Sequence, residues 1–496
     1  MKTLTVVVVG AGIAGLSTAL ALAADGHKVI VLDAIKEFAE VGAGIRVPPN
    51  SCKLLTEWGV DLQSIKKEIS KGNRFVSWKD KLLCEIPFAD VKERFGAPYH
   101  FIHRADLVDA MRKAAEKFAP MNGFTDTDMG LGRISILTNS RVVEYDFHKP
   151  GVQTSRGEWY TGDLVIAADG IRSIARDEII RAHQKPPNPL VDTGDVAYRI
   201  LVPASPLLQD PDQSVRELVT KPWATHWMGP EGHAVGYPLR EGELYNIIID
   251  VTHRTDRGQP VGEAEWSKRA DNKELVERFE DGWCPIVQRL CGMTGEYVKW
   301  RLAELEGPLE DWVHPSGKVA LLGDSAHPMM PYLAQGAAQV MEDAAALRAA
   351  LFSHLESYSS DSPEELVSTL SSALSLYQSC RVPRTAYITR NTQVLQEWLH
   401  LYDGPAQEQR DYLMSLEDDE SNPVFWASEM RRDWLFGWDA RKVGVCEDTG
   451  SRKEEDMRGG IGGKGGSIPG LPPLPPPAST VYPGKNLRGR LGIVGY

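Results

Sequence analysis

Near the N-terminus, Gly10-Ala11-Gly12-Ile13-Ala14-Gly15 sets three glycines where a diphosphate needs bare backbone. In a strand–turn–helix setting the first glycine permits a tight turn. The second lets a pyrophosphate approach, and the third lets helix and strand pack closely. The N-terminus of the following helix then offers unpaired N–H groups and a partial positive charge to the phosphates. Asp33, at the end of the next apolar run, is placed to accept hydrogen bonds from an adenosine ribose. The spacing alone suits NAD as well as FAD, and a glycine-rich turn that binds no nucleotide can share it.

The elements around this motif are those it requires. Leu4–Val9 reads as a buried strand, Ile13–Ala24 has helical composition, Gly26 stops the helix, and Val29–Asp33 is a second strand. Strand, turn, helix, strand is the unit of a parallel sheet. Helical periodicity returns over Arg104–Phe118, and Asp163–Ala168 reads as another buried strand. The pattern then changes to spaced strands, Val196–Val202, Ala234–Leu239 and Tyr245–Val251, whose aromatics and turn residues predict an antiparallel sheet. Lys318–Leu322 is again a short buried strand, followed by helices over Gln339–Phe352 and Leu366–Arg381. Arg458–Gly466 is glycine-rich and Ile468–Pro477 proline-rich, a composition that packs little core.

Composition narrows the function. The chain has 496 residues, 42% hydrophobic and 25% charged, enough for more than one core and globular rather than disordered. A formal charge of −13 with no long Lys/Arg stretch excludes a nucleic-acid partner. Cys52, Cys84, Cys284, Cys291, Cys380 and Cys446 form no CxxC pair, which gives neither a zinc pattern nor a disulfide framework and fits a reducing compartment. No metal site is expected. The first apolar run is β-branched and ends in glycines, unlike a signal peptide, and no apolar stretch is long enough to span a bilayer. The expectation is a soluble, cytoplasmic protein.

Two later segments refine the nucleotide reading. Gly162–Ser173 is a buried strand running into Asp169-Gly170, and Gly323-Asp324-Ser325-Ala326-His327-Pro328 precedes Pro331, Gly336 and a helix. With Gly10–Gly15, Val41–Asn50 (VGAGIRVPPN) and His103–Leu107 (HRADL), in this order, the chain resembles the flavoprotein aromatic hydroxylases. The likeness is strongest to salicylate hydroxylase-like monooxygenases of the fungal secondary-metabolism type, and it covers about residues 4–400.

The resemblance implies an α/β fold: a Rossmann-like FAD-binding domain with a parallel sheet, an inserted mostly antiparallel substrate-binding sheet, and C-terminal helices. The expected division is 1–190 and 311–400 for the two parts of the FAD-binding domain and 191–310 for the substrate domain. A helical extension (401–447) and a Gly/Pro-rich tail (448–496) follow. FAD is the implied cofactor and NAD(P)H a transient co-substrate, which with O2 would hydroxylate an aromatic or phenolic small molecule through a flavin C4a-hydroperoxide. A monomer or homodimer is expected.

By the same resemblance Asp33 would bind ribose, where the family more often has Glu. Gly44 would pass the flavin, Arg104 would contact the phosphate or ribityl region, and Asp324 the ribityl and pyrophosphate portion. Gly336, Ala337 and Ala338 would lie beside the flavin ring, where helix N–H groups favour the negative charge of the reduced form. His327, Asp169 and Arg172 read as fold-supporting.

On the substrate side, related fungal hydroxylases place an Arg and a Tyr at positions comparable to Arg199 and Tyr237, where they orient a phenolate. A guanidinium stays charged and offers several donors to an anionic oxygen, which a Tyr hydroxyl can share. The bland alternative puts Arg199 on a solvent face and Tyr237 in the sheet core, and Trp223, His226, Trp227 and Met228 line a flat pocket or simply fill core. Alternative activities are a flavin-dependent epoxidase or dearomatase and, from another class, an NAD-linked dehydrogenase or a non-catalytic nucleotide-binding protein.

Overall fold

The computed structural model describes residues 1–38, 42–119, 133–253, 257–259, 261, 266–293, 295–360 and 362–444. Val41, Cys446 and the Gly/Pro-rich tail lie outside the described residues.

Five parallel strands form the first sheet, in the order Val319–Leu321, Leu164–Ala167, Thr5–Val9, Lys28–Leu32, Arg133–Leu137. Thr5–Val9 is apolar almost throughout because both of its faces are covered. Val6 and Val8 pack with Leu16 and Leu20 of helix Ile13–Ala23 and Met341 of helix Gly336–Leu355. Val7 and Val9 face Val152 and Tyr160 of a three-stranded antiparallel sheet, Val142–Asp146, Gly151–Thr154 and Trp159–Thr161. Helix Gly336–Leu355 thus packs on Thr5–Val9, which begins more than 300 residues earlier, so sequence-distant segments close one core.

The second sheet has eight strands, in the order Ser267–Asp271, Glu296–Leu305, Leu190–Pro203, Leu244–Thr252, Gly232–Leu239, Trp223–Gly229, Gly72–Ser77, Leu82–Pro87. All neighbours are antiparallel except Trp223–Gly229 and Gly72–Ser77, which run parallel. The last two strands come from far earlier in the chain than the antiparallel run read from sequence. Strand alternation gives the sheet two distinct faces. Tyr198, Ile200, Trp227, Ile247 and Ile249 face an outer layer that includes helices Lys273–Glu280 and Pro285–Gly292. Phe75, Ala224, Val235 and Tyr237 face inward, toward Phe101, Leu333, Phe425 and Trp426.

The helix expected over Leu366–Arg381 extends to Pro363–Leu399 and continues through Pro383. An interior proline removes one helical hydrogen bond. Here Arg381, Arg384, Thr385 and Ile388 are all buried around it, and that tertiary packing holds the helix together across the missing bond.

Candidate cofactor and substrate site

At the glycine-rich turn, each glycine has a different reason to be there. Gly10 leaves its strand at φ +104°, and a Cβ there would stand 2.3 Å from Ala168 O. At Gly15 a Cβ would stand 1.8 Å from Gly10 O, so helix Ile13–Ala23 could not lie this close to the turn. At Gly12 a Cβ meets no atom of the described residues within 4 Å: the bare face opens outward. The first helical hydrogen bond runs from Leu16 N–H to Gly12 O at 3.0 Å, so the N–H groups of Ile13, Ala14 and Gly15 remain available to an anion. Asp33 lies behind the turn. Its Oδ2 accepts the Ala11 N–H at 2.6 Å and its Oδ1 the Ile35 N–H at 2.8 Å. A carboxylate has about four acceptor positions; two brace the backbone, and the remainder suit ribose hydroxyls.

A second helix terminus faces the same region. The first bond of helix Gly336–Leu355 runs from Gln339 N–H to Gln335 O at 2.8 Å, which leaves the N–H groups of Gly336, Ala337 and Ala338 without a helical acceptor. Ala334, at φ +50°, turns the chain into this helix. Gly323, at φ +73°, donates its N–H to Asp343 Oδ2 at 3.1 Å and exposes Asp324. Arg104 opens helix Arg104–Glu116, and its N–H is held by Ala43 O at 3.1 Å.

Arg104, Asp324 and Arg199 are all reached by solvent. Yet burial pushes the Asp324 carboxyl above its usual range, against the pull of His327 and Arg104. Burial likewise lowers both arginines, with Asp324 opposing the shift at Arg104 and Arg104 reinforcing it at Arg199. Solvent contact together with strong desolvation is what the walls of a deep cleft produce. Two helix N-termini, glycine backbone bare of Cβ and an Arg–Asp pair along one cleft fit the anionic and polar groups of FAD.

Behind the cleft is a buried ionic network. Arg381 donates from Nε to Asp343 Oδ1 and from Nη1 to Glu342 Oε2, both at 2.7 Å, and Arg384 donates from Nε to Glu342 Oε2 at 2.7 Å. Asn50 donates to Glu342 Oε1 at 2.7 Å. His327 Nε2 lies 2.6 Å from Asp343 Oδ2, with the imidazole ring 5.1 Å from Trp312. His327 and the Gly323 N–H thus meet at the same Asp343 oxygen, which pins the imidazole beneath the Gly323 turn. Tyr145 donates to Asp169 Oδ2 at 3.1 Å, and Arg176 joins Ile171 O and Ser325 O at 2.7 and 3.1 Å, tying the two Asp-containing turns together. Arg172 lies over Trp266 at 4.7 Å.

Arg199 and Tyr237 share the inward face of the large sheet. Arg199 stands opposite Ile248, which stands opposite Val235, and Tyr237 is two residues along from Val235. Tyr198 points the other way, where its hydroxyl donates to Glu274 at 2.6 Å. Arg199 Cζ rests 5.2 Å over Trp300. Tyr237 is buried against Phe101, with ring centroids 4.7 Å apart, and burial pushes its phenol up to about 12 against the pull of Arg46 and Arg199. The expected flavin strand and the expected substrate strand touch here: a Cβ on Gly44 would lie 2.6 Å from Tyr237 Cε2. Of the aromatic cluster, Trp227 faces the outer core, whereas His226 stacks on Phe75 at 4.6 Å on the inner face.

Sequence reasoning missed Asn246 and Arg46. Asn246 Oδ1 accepts the Gly44 N–H at 2.7 Å, which fixes the strand against the sheet. Arg46 is buried two residues farther on. The signal was available in each case: a polar residue flanked by apolar neighbours in a strand, Tyr245-Asn246-Ile247 and Ile45-Arg46-Val47.

Comparison with known proteins agrees with this geometry. Residues 3–369 match the family model described as an FAD binding domain. The chain is 33% identical over 453 residues to the FAD-dependent monooxygenase OpS4 of Beauveria bassiana, spanning 89% of this chain and 96% of that protein. It is 30% identical over 450 residues to a 3-hydroxybenzoate 6-hydroxylase of Polaromonas naphthalenivorans, spanning 89% and 97%. A solved salicylate hydroxylase in complex with its substrate shares the fold, with a TM-score of 0.68 at 24% identity over 89% of this chain and 98% of the other. With that fold and both helix termini disposed along one cleft, the chain belongs to the FAD-binding-domain family of FAD-dependent monooxygenases.

Proposed function

We propose that this enzyme hydroxylates a phenolic small molecule, consuming one NAD(P)H and one O2 per turnover and releasing water, and that it does so in the cytoplasm as a monomer or homodimer. The observation that carries the reading is the placement of Arg199 and Tyr237 on one inward face, with Tyr237 against Gly44. The hydroxybenzoate substrates named for bacterial relatives support the substrate class.

Bound FAD supplies the redox chemistry that reduces dioxygen and delivers one oxygen atom to the ring. Arg199 holds the phenolate oxygen and favours its deprotonated, electron-rich form through charge. Tyr237, its own proton retained by burial, donates to the same oxygen and fixes the ring plane. Gly336, Ala337 and Ala338 direct N–H groups at the flavin edge that becomes negative on reduction. Phe101, Val235 and Leu333 exclude water from the site.

The test is a panel of phenols offered to the FAD-loaded enzyme, with NAD(P)H oxidation, oxygen uptake and product mass followed together. Substrate-stimulated oxidation with a product heavier by one oxygen atom is expected. Oxidation of NAD(P)H by FAD-loaded enzyme with no oxygenated product from any phenol overturns the reading, and an epoxide product assigns the enzyme to a different oxygen-transfer class.

A further inference from the structure

Arg46 stands on strand Gly44–Val47 and is only 8% exposed. Its Nη1 donates to Asn73 Oδ1 at 3.1 Å and lies 3.5 Å from His226 Nε2, and its Cζ sits 5.5 Å over the Trp426 ring. None of these partners is an anion, and among the described residues no carboxylate lies within ion-pair distance of Arg46.

Other buried arginines are served differently. Arg381 and Arg384 hold carboxylates, Arg410 pairs with Asp411, and Arg176 and Arg431 each donate to two backbone carbonyls. A buried guanidinium without an anion is costly, and stacking on one indole offsets only part of that cost.

The groups around Arg46 accept from it and are left with buried donors of their own. His226 Nε2 faces a guanidinium N–H and must accept, so its proton belongs on Nδ1, which has no partner among the described residues. Asn73 gives its oxygen to Arg46, and its Nδ2 is likewise without a partner among the described residues. Burial first, and the Arg46 charge second, hold His226 neutral.

The position of this cluster relates it to the phenolate anchor. Arg199, Ile248, Val235, His226 and Phe75 form one continuous row across five strands of the large sheet. His226, with Arg46 against it, stands three strand spacings from Arg199, about 14 Å along the row. Between them the floor is apolar, Ile248 and Val235, and Tyr237 lies within electrostatic reach of both arginines. An apolar row flanked by a guanidinium on either side suits an aromatic ring that carries two acidic groups.

We propose that Arg46 is a specificity-determining residue that binds a carboxylate borne by the phenolic substrate, opposite the phenolate held at Arg199. The proposal rests on the hydroxylase reading above, and it separates acidic phenols from plain ones. A guanidinium takes a carboxylate through two parallel N–H bonds, a geometry that lysine cannot reproduce.

Two probes of FAD-loaded enzyme test it, 2,4-dihydroxybenzoate and resorcinol, which differ only in the carboxylate. Binding is read from the perturbation of the flavin absorbance, which needs no turnover. Wild-type enzyme binds the carboxylated probe at least about tenfold more tightly than resorcinol. Arg46→Gln loses that preference, weakening 2,4-dihydroxybenzoate about tenfold to a hundredfold while shifting resorcinol by less than about threefold. Arg46→Lys, the guard against misfolding, recovers part of the preference, and FAD content stays at one per chain in every variant used. Arg199→Gln weakens both probes. Equal wild-type affinities, no binding of 2,4-dihydroxybenzoate, or an Arg46→Gln variant that loses both probes equally or neither, overturns the proposal. Arg199→Gln without effect on either probe counts instead against the phenolate reading, with the Arg46 comparison still intact.

Discussion

Replacing Gly12 with valine should separate FAD binding from folding, and Gly15→Ala serves as the opposite control. At Gly12 the backbone is at φ −71°, ψ −172°, a conformation open to any residue, and no atom of the described residues lies within 4 Å of an added Cβ. The apoprotein should therefore lose no more than about 1 kcal/mol, the scale of an apolar residue at a helix N-cap. The valine methyls, however, occupy the approach to the free N–H groups of Ile13, Ala14 and Gly15. Losing two charge-assisted bonds to a phosphate costs roughly 3–6 kcal/mol, a hundredfold to over ten-thousandfold in FAD affinity. Gly15→Ala meets Gly10 O at 1.8 Å and must push the helix off the turn, so its penalty falls on the fold itself, about 1–3 kcal/mol or more. Flavin absorbance per protein, with melting temperatures recorded with and without added FAD, distinguishes the two. Wild type should gain about 2.7 kcal/mol at FAD a hundredfold above its Kd, and Gly12→Val almost nothing. A Gly12→Val protein carrying full FAD, or a Gly15→Ala protein as stable as wild type, refutes this account of the turn.

Arg199→Ala should leave FAD content unchanged while substrate-stimulated NAD(P)H oxidation falls tenfold to over a hundredfold, the cost of about 1.5–3 kcal/mol for a lost charged hydrogen bond; near-normal turnover with good coupling would return this arginine to a surface role. Arg381→Met should destabilise the protein by about 3–5 kcal/mol, because it leaves part of the Glu342 and Asp343 charge buried without its partner; urea unfolding reads the loss, and a change below about 1 kcal/mol contradicts it. The same network has a pH signature. Burial raises the Glu342 and Asp343 carboxyls, but Arg384 and Arg381 act on Glu342, and His327 and Arg381 on Asp343, to leave both below their ordinary values. Their contribution is thus complete above the unfolded carboxylate range, near pH 4, and is lost as pH falls through the lower folded values. Asp343→Asn should flatten the acid limb of the stability profile, and an unchanged slope would count against the pairing.

The parts legible in the sequence were those in which local pattern and fold coincide. Thr5–Val9 and Leu164–Ala167 are apolar because both sheet faces are covered, and glycines at turns mark positions where the backbone has no alternative. Arg199 and Tyr237 could each be singled out; that they share one face followed only from the register through Ile248 and Val235. The distant pairings were not legible. Gly72–Ser77 joins Trp223–Gly229 some 150 residues away, and local sequence carries no record of a strand's partner. Helix Pro363–Leu399 passes a proline that reads as a stop, because buried neighbours outweigh the missing bond. The Glu342–Arg381 network escaped notice for a related reason: charges on a helix read as surface until their partner, 39 residues on, proves to be buried as well.

The order of strands in the parallel sheet also sets a timetable for biogenesis. Thr5–Val9 gains its second strand neighbour only with Leu164–Ala167, whose own outer partner is Val319–Leu321, and its full helix cover only with Gly336–Leu355. At about 5–20 residues per second, the ribosome needs roughly 15–60 s to travel from Leu32 to Leu321. During that interval a nearly continuous valine strand waits with its helix-covered face incomplete, and pairings this distant in sequence form slowly. Because Asp324 and the helix that begins at Gly336 follow the large sheet in the chain, capture of the nucleotide is expected to be late, and a shortage of flavin to be felt by a nearly finished chain. Chaperone engagement during synthesis should therefore centre on the N-terminal strand and end with the arrival of the helix that begins at Gly336.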